Sequence, residues 1–152
     1  MKQSGYKSLQ VVYFSLLAGQ ILFILIAVYL ITKNLFTVSK PELENIFMPV
    51  LVIVAFICII SGNRIYKARV SRLKDVNPIA SKFVEYRAVT LLRWALLEAP
   101  CLFAIICYLL TSNFLFLVVA ALLLFIFVST APIKNKVASE MGITSEELDK
   151  IL

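Results

Sequence analysis

The stretch VTLLRWALLEAPCLFAIICYLL, Val89 to Leu110, decides the fold, because it is about 22 residues long and almost entirely apolar. A helix of that length crosses the hydrocarbon core of a bilayer. Its charged residues are Arg93 and Glu98. Charged side chains are costly in hydrocarbon and therefore mark candidate functional residues. The stretch predicts a membrane-spanning helix that contains a candidate polar site.

The rest of the chain is similarly apolar, with 61% hydrophobic residues and a mean hydropathy of +0.94 over 152 residues. A soluble domain of this size has too little interior for so much apolar surface, whereas a bilayer accommodates it. We therefore expect an all-α protein with two parts. Residues 1–131 should form a bundle of four transmembrane helices, at about 9–31, 46–61, 86–110 and 114–130, and residues 132–152 a short amphipathic cytoplasmic tail.

An internal repeat is a further possibility. Aligning residue 6 with residue 86 pairs Tyr6 with Tyr86 and Phe14 with Trp94, and it also matches several leucines. Helices one and three would then be equivalent, each followed by a shorter helix. The bundle is then either a duplicated hairpin or four unrelated helices whose leucines match by chance.

The placement of basic residues predicts the orientation of the chain. Of the 15 lysine and arginine residues, all but Lys33, Lys40 and Arg93 fall in the N-terminal arm, the loop between helices two and three, or the tail. Cytoplasmic segments carry such an excess of positive charge. We expect a multi-pass protein of the cell (inner) membrane, with both termini cytoplasmic.

The chain has no histidine, which argues against the usual zinc sites and histidine acid–base chemistry. Cys58, Cys101 and Cys107 lie inside apolar segments, where cysteine behaves as a small hydrophobic residue. We find no nucleophile–base pair, metal-ligand cluster or glycine-rich phosphate loop. The expectation is a protein that is not an enzyme and binds neither metal nor cofactor.

Glu98 lies about 13–14 Å from the cytoplasmic edge of its helix, close to the bilayer midplane. There a carboxyl group pairs, accepts hydrogen bonds, faces water or stays protonated. Pro100 removes one helical hydrogen bond and predicts a kink beside it. Two readings stay open: an ion or proton site, or a protonated carboxyl that hydrogen-bonds a neighbouring helix during assembly.

Two other polar residues belong to this predicted intramembrane site. Gln20 stands at nearly the same depth in helix one, so we expect a Glu98–Gln20 contact. Arg93 lies about 6 Å inside the cytoplasmic edge, where its side chain either reaches the headgroups or forms a buried ion pair. It is about 140° around the helix from Glu98, a poor geometry for an intrahelical pair.

The run NRIYKARVSRLK, Asn63–Lys74, has no acidic residue and predicts a cytoplasmic basic patch. We expect it to be a helical extension, or an interfacial segment, that contacts anionic lipid headgroups and not nucleic acid. The patch comprises Arg64, Lys67, Arg69, Arg72 and Lys74.

Helix ends are also readable from the sequence. Asn45 is a candidate N-cap of helix two. Thr130 is a candidate N-cap of a short tail helix, and that helix is predicted to end at Gly142. Thr144 and Glu147 match a capping box. Ile133, Val137 and Met141 would share an apolar face that rests on the membrane surface, the middle loop or a partner.

The segment ALLEAPCLFAIICYLLTSN, Ala95–Asn113, resembles the carboxylate-bearing helix of ATP synthase proteolipid (c) subunits. That resemblance implies Glu98 as an ion-carrying carboxylate. The glycine-rich first helix of c subunits has no equivalent in Met48–Ile60, which contains no glycine. Taken whole, the chain resembles the small uncharacterised four-helix membrane proteins found in bacteria. We expect an accessory or assembly component that is either homo-oligomeric or bound to a membrane-protein partner. The alternative is an ion- or proton-translocating subunit that uses Glu98.

Overall fold

The structure is a computed structural model that describes residues 5–35, 40–73, 78–144 and 146–148. Within these ranges the chain is helical and contains no strand. The helices are α1 (Gly5–Thr32), α2 (Glu44–Arg72), α3 (Ile79–Thr111), α4 (Phe114–Val128) and α5 (Lys134–Met141), and a 3₁₀ turn (Pro41–Leu43) precedes α2. The predicted all-α class is confirmed.

Three helices, α1, α2 and α3, are long and apolar enough to cross a membrane, with 28, 29 and 33 residues. The apolar helix α4 has 15 residues, about 22 Å of helix against a hydrocarbon core of about 30 Å. Large apolar side chains face outward from the helices, among them Phe56 at 66% and Phe125 at 74% exposure. This length, composition and surface are those of a membrane protein.

Helix α3 is central to the packing, because it contacts α1, α2 and α4. It is joined to α4 by a tight turn in which Ser112 is left-handed (φ 56°) and the Asn113 side chain accepts a hydrogen bond from the Leu115 N–H. By contrast, α1 and α2 have little direct contact. The two halves of the possible repeat are therefore not packed alike, because α1 packs on α3 and α4 instead of on its neighbour in sequence.

Buried apolar side chains form two clusters along the helices. The first, called the tail-side core, is formed by the ends of the long helices nearest the tail together with α5 and Leu148. It comprises Tyr6, Leu9, Tyr13, Tyr66, Leu73, Phe83, Tyr86, Val89, Trp94, Leu97, Phe127, Val137, Ala138, Met141 and Leu148. The second lies towards the other end, around Leu51, Cys101, Ile105 and Phe116. The tail therefore packs against the helices of its own chain.

The second helix is longer than the sequence predicts. It continues through Gly62 and Asn63 to Arg72, so the basic run is a helical extension, one of the two forms expected. It also begins earlier, at Glu44 with Leu43 as N-cap, so the predicted Asn45 cap is wrong. The reason is that the 3₁₀ turn already sets helical geometry before Asn45.

The tail follows most of its predicted pattern. Gly142 ends α5 in the left-handed conformation (φ 66°). The capping box forms, since the Glu147 carboxylate accepts the Thr144 N–H at 2.8 Å and the Thr144 hydroxyl accepts the Glu147 N–H at 3.2 Å. Thr130, however, does not cap α5, because its hydroxyl donates to the Phe127 carbonyl at 2.6 Å. Val137 and Met141 are buried, whereas Ile133 is 61% exposed.

Candidate functional site

Glu98 lies half-buried on α3, inside the segment that is long and apolar enough to span a membrane. No described residue forms a hydrogen bond or an ion pair with its carboxyl group. Helix α3 runs uninterrupted through the buried Pro100, and the predicted kink stays a prediction. The best candidate from the sequence is thus a carboxyl group without a polar partner in the described part of its own chain.

Gln20 is buried, at 1% exposure, in α1. Neither its amide nitrogen nor its amide oxygen has a hydrogen-bond partner among the described residues. The direct Glu98–Gln20 hydrogen bond predicted from their depths is therefore not formed. Equal depth along two helices does not ensure contact, because the rotation of each helix about its axis also decides which side chains meet.

Arg93 extends towards α2. Its guanidinium carbon lies 4.5 Å from the centroid of the Tyr66 ring, and its side-chain stem is near Gly62. This is a cation–π geometry, which stabilises a desolvated cation by about 0.5–2 kcal/mol. Arg93 forms no ion pair with Glu98 in the described structure. Tyr66 belongs to the basic end of α2, so the guanidinium points towards that end.

The outward side of α3 presents a line of mostly small side chains beside Glu98. The exposed residues of its apolar part follow helical spacing, and they are Ala88, Leu92, Ala95, Ala99 and Ile106. We call this line the α3 strip. Small residues allow another helix to approach the backbone closely. The α3 strip is thus a surface on which a further helix fits within reach of Glu98.

A second polar group, not predicted from the sequence, joins the tail to the long helices. The Glu140 carboxylate oxygen Oε2 accepts hydrogen bonds from the Tyr66 hydroxyl at 2.6 Å and the Tyr86 hydroxyl at 2.8 Å. The two hydroxyl oxygens lie 3.1 Å apart. We call these three residues the tyrosine–glutamate junction. It connects α2, α3 and α5 at the end of the molecule that holds the tail.

Burial and charge both shift the pKa of Tyr66 at the junction. Tyr66 lies in the polar extension of α2, outside the apolar segments. Desolvation and the hydrogen bond to Glu140 raise the pKa of Tyr66 to about 12. Tyr66 therefore stays protonated near neutral pH and, like Tyr86, donates a hydrogen bond to the carboxylate.

Two tyrosines of α1 also join this end of the molecule. The Tyr6 hydroxyl donates to the Pro132 carbonyl at 2.8 Å, and the Tyr13 hydroxyl donates to the Val128 carbonyl at 3.2 Å. The Tyr13 ring stacks on Phe127 with centroids 5.2 Å apart and planes 4° apart. These contacts satisfy carbonyl groups at and after the end of α4, which have no partner within that helix.

The predicted basic patch is exposed on the extension of α2, at Arg64, Lys67, Arg69 and Arg72, while Lys74 lies outside the described residues. A cavity of about 290 Å³ lies beside it, between α2 and α5. Its lining residues are Tyr66, Lys67, Val70, Ser71, Ser139 and Glu140. The cavity places a lysine, two serines and a carboxylate around one space.

The sequence contained one signal for the junction. Tyr66 and Tyr86 are large amphipathic residues in otherwise charged extensions of two long helices, and buried tyrosine hydroxyls require partners. Glu140 lies between the apolar positions Val137 and Met141 of the tail helix. Nothing local indicates that the three meet, because they come from segments 20 and 54 residues apart.

Comparison of the chain with known protein families, curated proteins and solved structures found no match.

Proposed function

We propose that this chain is a non-enzymatic, four-pass protein of the cell (inner) membrane, with both termini cytoplasmic. It acts as an accessory or assembly component that binds a partner membrane protein through the α3 strip and Glu98. The distribution of lysine and arginine supports the orientation. The exposed apolar surfaces of α1 to α4 support a bundle in which all four helices contact lipid.

The observation that carries this proposal is the state of Glu98. Its carboxyl group is half-buried in an apolar helix, and no described residue of the chain hydrogen-bonds it. An unpaired polar group in hydrocarbon costs roughly several kcal/mol of free energy. A hydrogen-bond donor from another chain is therefore strongly favoured beside Glu98. Interhelical hydrogen bonds of this kind contribute about 0.6–2 kcal/mol to association.

The partner is a membrane-spanning helix that presents a hydrogen-bond donor and small residues at its contact face. A second copy of this chain is the alternative partner, since a protonated Glu98 both donates and accepts hydrogen bonds, and the crosslink described below distinguishes the two partners. Anionic headgroups at the cytoplasmic side are a further partner, since the exposed arginines and lysines of the α2 extension attract them.

Site-specific photocrosslinking in cells tests the proposal. A photoreactive residue at Ala99, on the α3 strip, should give one adduct whose mass spectrum identifies a different membrane protein. Phe125 is the matched control, because it is exposed on α4 and is not part of the α3 strip. Glu98→Leu should remove the adduct, whereas Glu98→Gln should keep it, since an amide still forms the hydrogen bond. An adduct of two copies of this chain, or none at Ala99, would overturn the proposal.

Ion or proton translocation through Glu98 is the second candidate, and Gln20 favours it. The Gln20 amide is buried without a hydrogen-bond partner among the described residues, so a water molecule bound there would supply one step of a proton path through the helices. Purified protein in vesicles separates the two functions. If the protein translocates protons, the wild type shows proton flux and Glu98→Gln abolishes it. If the protein is an assembly component, the wild type shows no flux above that of empty vesicles, and Glu98→Gln keeps the crosslink to the partner.

A further inference from the structure

The cavity between α2 and α5 is lined by a positively and a negatively charged side chain that form no ion pair with each other. Lys67 lies on the α2 side and Glu140 on the α5 side, and no ion pair connects them. Each of these charges attracts a group of opposite charge placed between them. The arrangement is therefore suited to a ligand that carries both a negative and a positive charge.

The hydrogen bonds of Glu140 occupy one of its two carboxylate oxygens and leave the other for a ligand. Both tyrosine hydroxyls donate to Oε2, and no described donor reaches Oε1. A carboxylate oxygen that accepts no protein hydrogen bond is available to an ammonium group. The Lys67 ammonium on the α2 side and the Ser139 hydroxyl on the α5 side are available donors for an anion, whereas the Ser71 hydroxyl already donates to the Ala68 carbonyl at 2.9 Å.

The cavity lies at the outer edge of the lipid headgroup layer. The apolar segment of α2 ends near Ser61, and Lys67 follows about six residues later, about 9 Å along the helix. The headgroup layer is about 5–8 Å thick on each side of the hydrocarbon core, so the long Lys67 side chain reaches back to a phosphate from just outside it. A volume of about 290 Å³ is at the small end of ligand sites, which suits a headgroup better than a larger molecule.

We propose that this cavity binds a phosphoethanolamine group, with the phosphate at Lys67 and Ser139 and the ammonium at Oε1 of Glu140. The source is either a phosphatidylethanolamine headgroup or a soluble phosphoethanolamine ester. The site is independent of Glu98 and of the partner proposed above. It shares Lys67 with the exposed basic patch, which attracts any anionic lipid, and adds Ser139 and Glu140 of α5.

Native mass spectrometry of the full chain in detergent tests the site. The protein is mixed with equal amounts of phosphatidylethanolamine, phosphatidylcholine and phosphatidylglycerol that have identical acyl chains. The wild type should retain phosphatidylethanolamine about tenfold more than either other lipid, because it alone combines a positive charge with N–H donors for Glu140. Glu140→Gln should remove the preference over phosphatidylglycerol, and Lys67→Gln should lower retention of all phospholipids at this site.

Two further variants separate loss of the lipid site from loosening of the tail. Ser139→Phe fills the cavity and leaves the tyrosine–glutamate junction intact, so it should remove the preference even if Glu140→Gln loosens the tail. Asn135→Ala is the control, because Asn135 is exposed on α5, carries no charge and does not line the cavity. Its lipid preference should equal that of the wild type.

A competition arm identifies the source of the ligand. Displacement of the lipid by an equal concentration of glycerophosphoethanolamine assigns the site to a soluble ester, and retention of the lipid assigns it to the membrane. A wild type without preference for phosphatidylethanolamine would overturn the proposal. So would a preference that survives both Glu140→Gln and Ser139→Phe.

Discussion

The hydroxyl of Tyr86 donates a hydrogen bond of 2.8 Å to the carboxylate of Glu140, across 54 residues of sequence. This contact holds the tail helix α5 against the polar extension of α3. Tyr66 donates to the same oxygen at 2.6 Å. A single carboxylate oxygen thus joins three helices, and its removal should release the tail more than the loss of any exposed charge.

Glu140→Ala should loosen α5 by about 1–3 kcal/mol, because two buried phenol groups lose their acceptor. Hydrogen exchange at the Val137 and Ala138 amides should accelerate roughly tenfold to a hundredfold. Glu146→Ala is the matched control, since Glu146 is an exposed acid of the same tail. Equal exchange in both variants would show that the junction does not hold the tail.

The junction should also weaken in strong alkali. The pKa of Tyr66 rises from 10.0 in the unfolded chain to about 12 in the fold, so the folded state retains a proton that the unfolded state has lost. The contribution of Tyr66 is full below pH 10 and disappears as the pH rises to about 12. Its size is on the order of 2–3 kcal/mol.

Tyrosinate absorbance during a pH titration in detergent measures this directly. The wild type should show a late ionisation near pH 12 that Tyr66→Phe lacks. The free energy of unfolding should fall less steeply with pH in Tyr66→Phe than in the wild type. Identical titration curves would contradict the assignment.

Gly62→Ala should leave the helix packing unchanged and raise the free energy of unfolding by about 0.5–1 kcal/mol. An added Cβ would meet Leu96 at 3.6 Å, an ordinary contact, while alanine favours the helix more than glycine. Gly5→Ala is the contrasting variant, because its Cβ would overlap the Phe83 ring. In detergent, the thermal unfolding temperature should be highest for Gly62→Ala, intermediate for the wild type and lowest for Gly5→Ala. The reverse order would be inconsistent with this packing.

Gln20→Met should stabilise the isolated protein by about 1 kcal/mol, because it removes two buried polar atoms that have no described partner. Gln10→Met should instead destabilise it, since the Gln10 amide donates to the Tyr6 hydroxyl at 3.0 Å. Thermal unfolding of the two variants checks both signs. A destabilised Gln20→Met would mean that the amide is satisfied by bound water, which would favour the translocation alternative.

Several features of the candidate site were readable from the sequence, because they depend on local properties. Glu98 and Arg93 are conspicuous as charges in an apolar stretch, and the capping box of Thr144 and Glu147 follows from residue type and spacing alone. A contact between Glu98 and Gln20 was inferred from depth, and no hydrogen bond forms between them. Depth is a one-dimensional quantity, whereas contact also requires the two helices to be rotated towards each other.

The sequence by itself determined the all-helical class, the approximate positions of the apolar helices and the uneven distribution of basic residues, since helix length, hydropathy and charge are properties of contiguous segments. Only the tertiary structure decided that α3 is central, that Arg93 lies over Tyr66 and that Tyr66, Tyr86 and Glu140 share one hydrogen-bonded group. The physical reason is that helix rotation and inter-helix register are set by how side chains pack. Hydropathy selects which segments become apolar helices, and packing of the rings and hydroxyls at the tail-side core selects which residues meet.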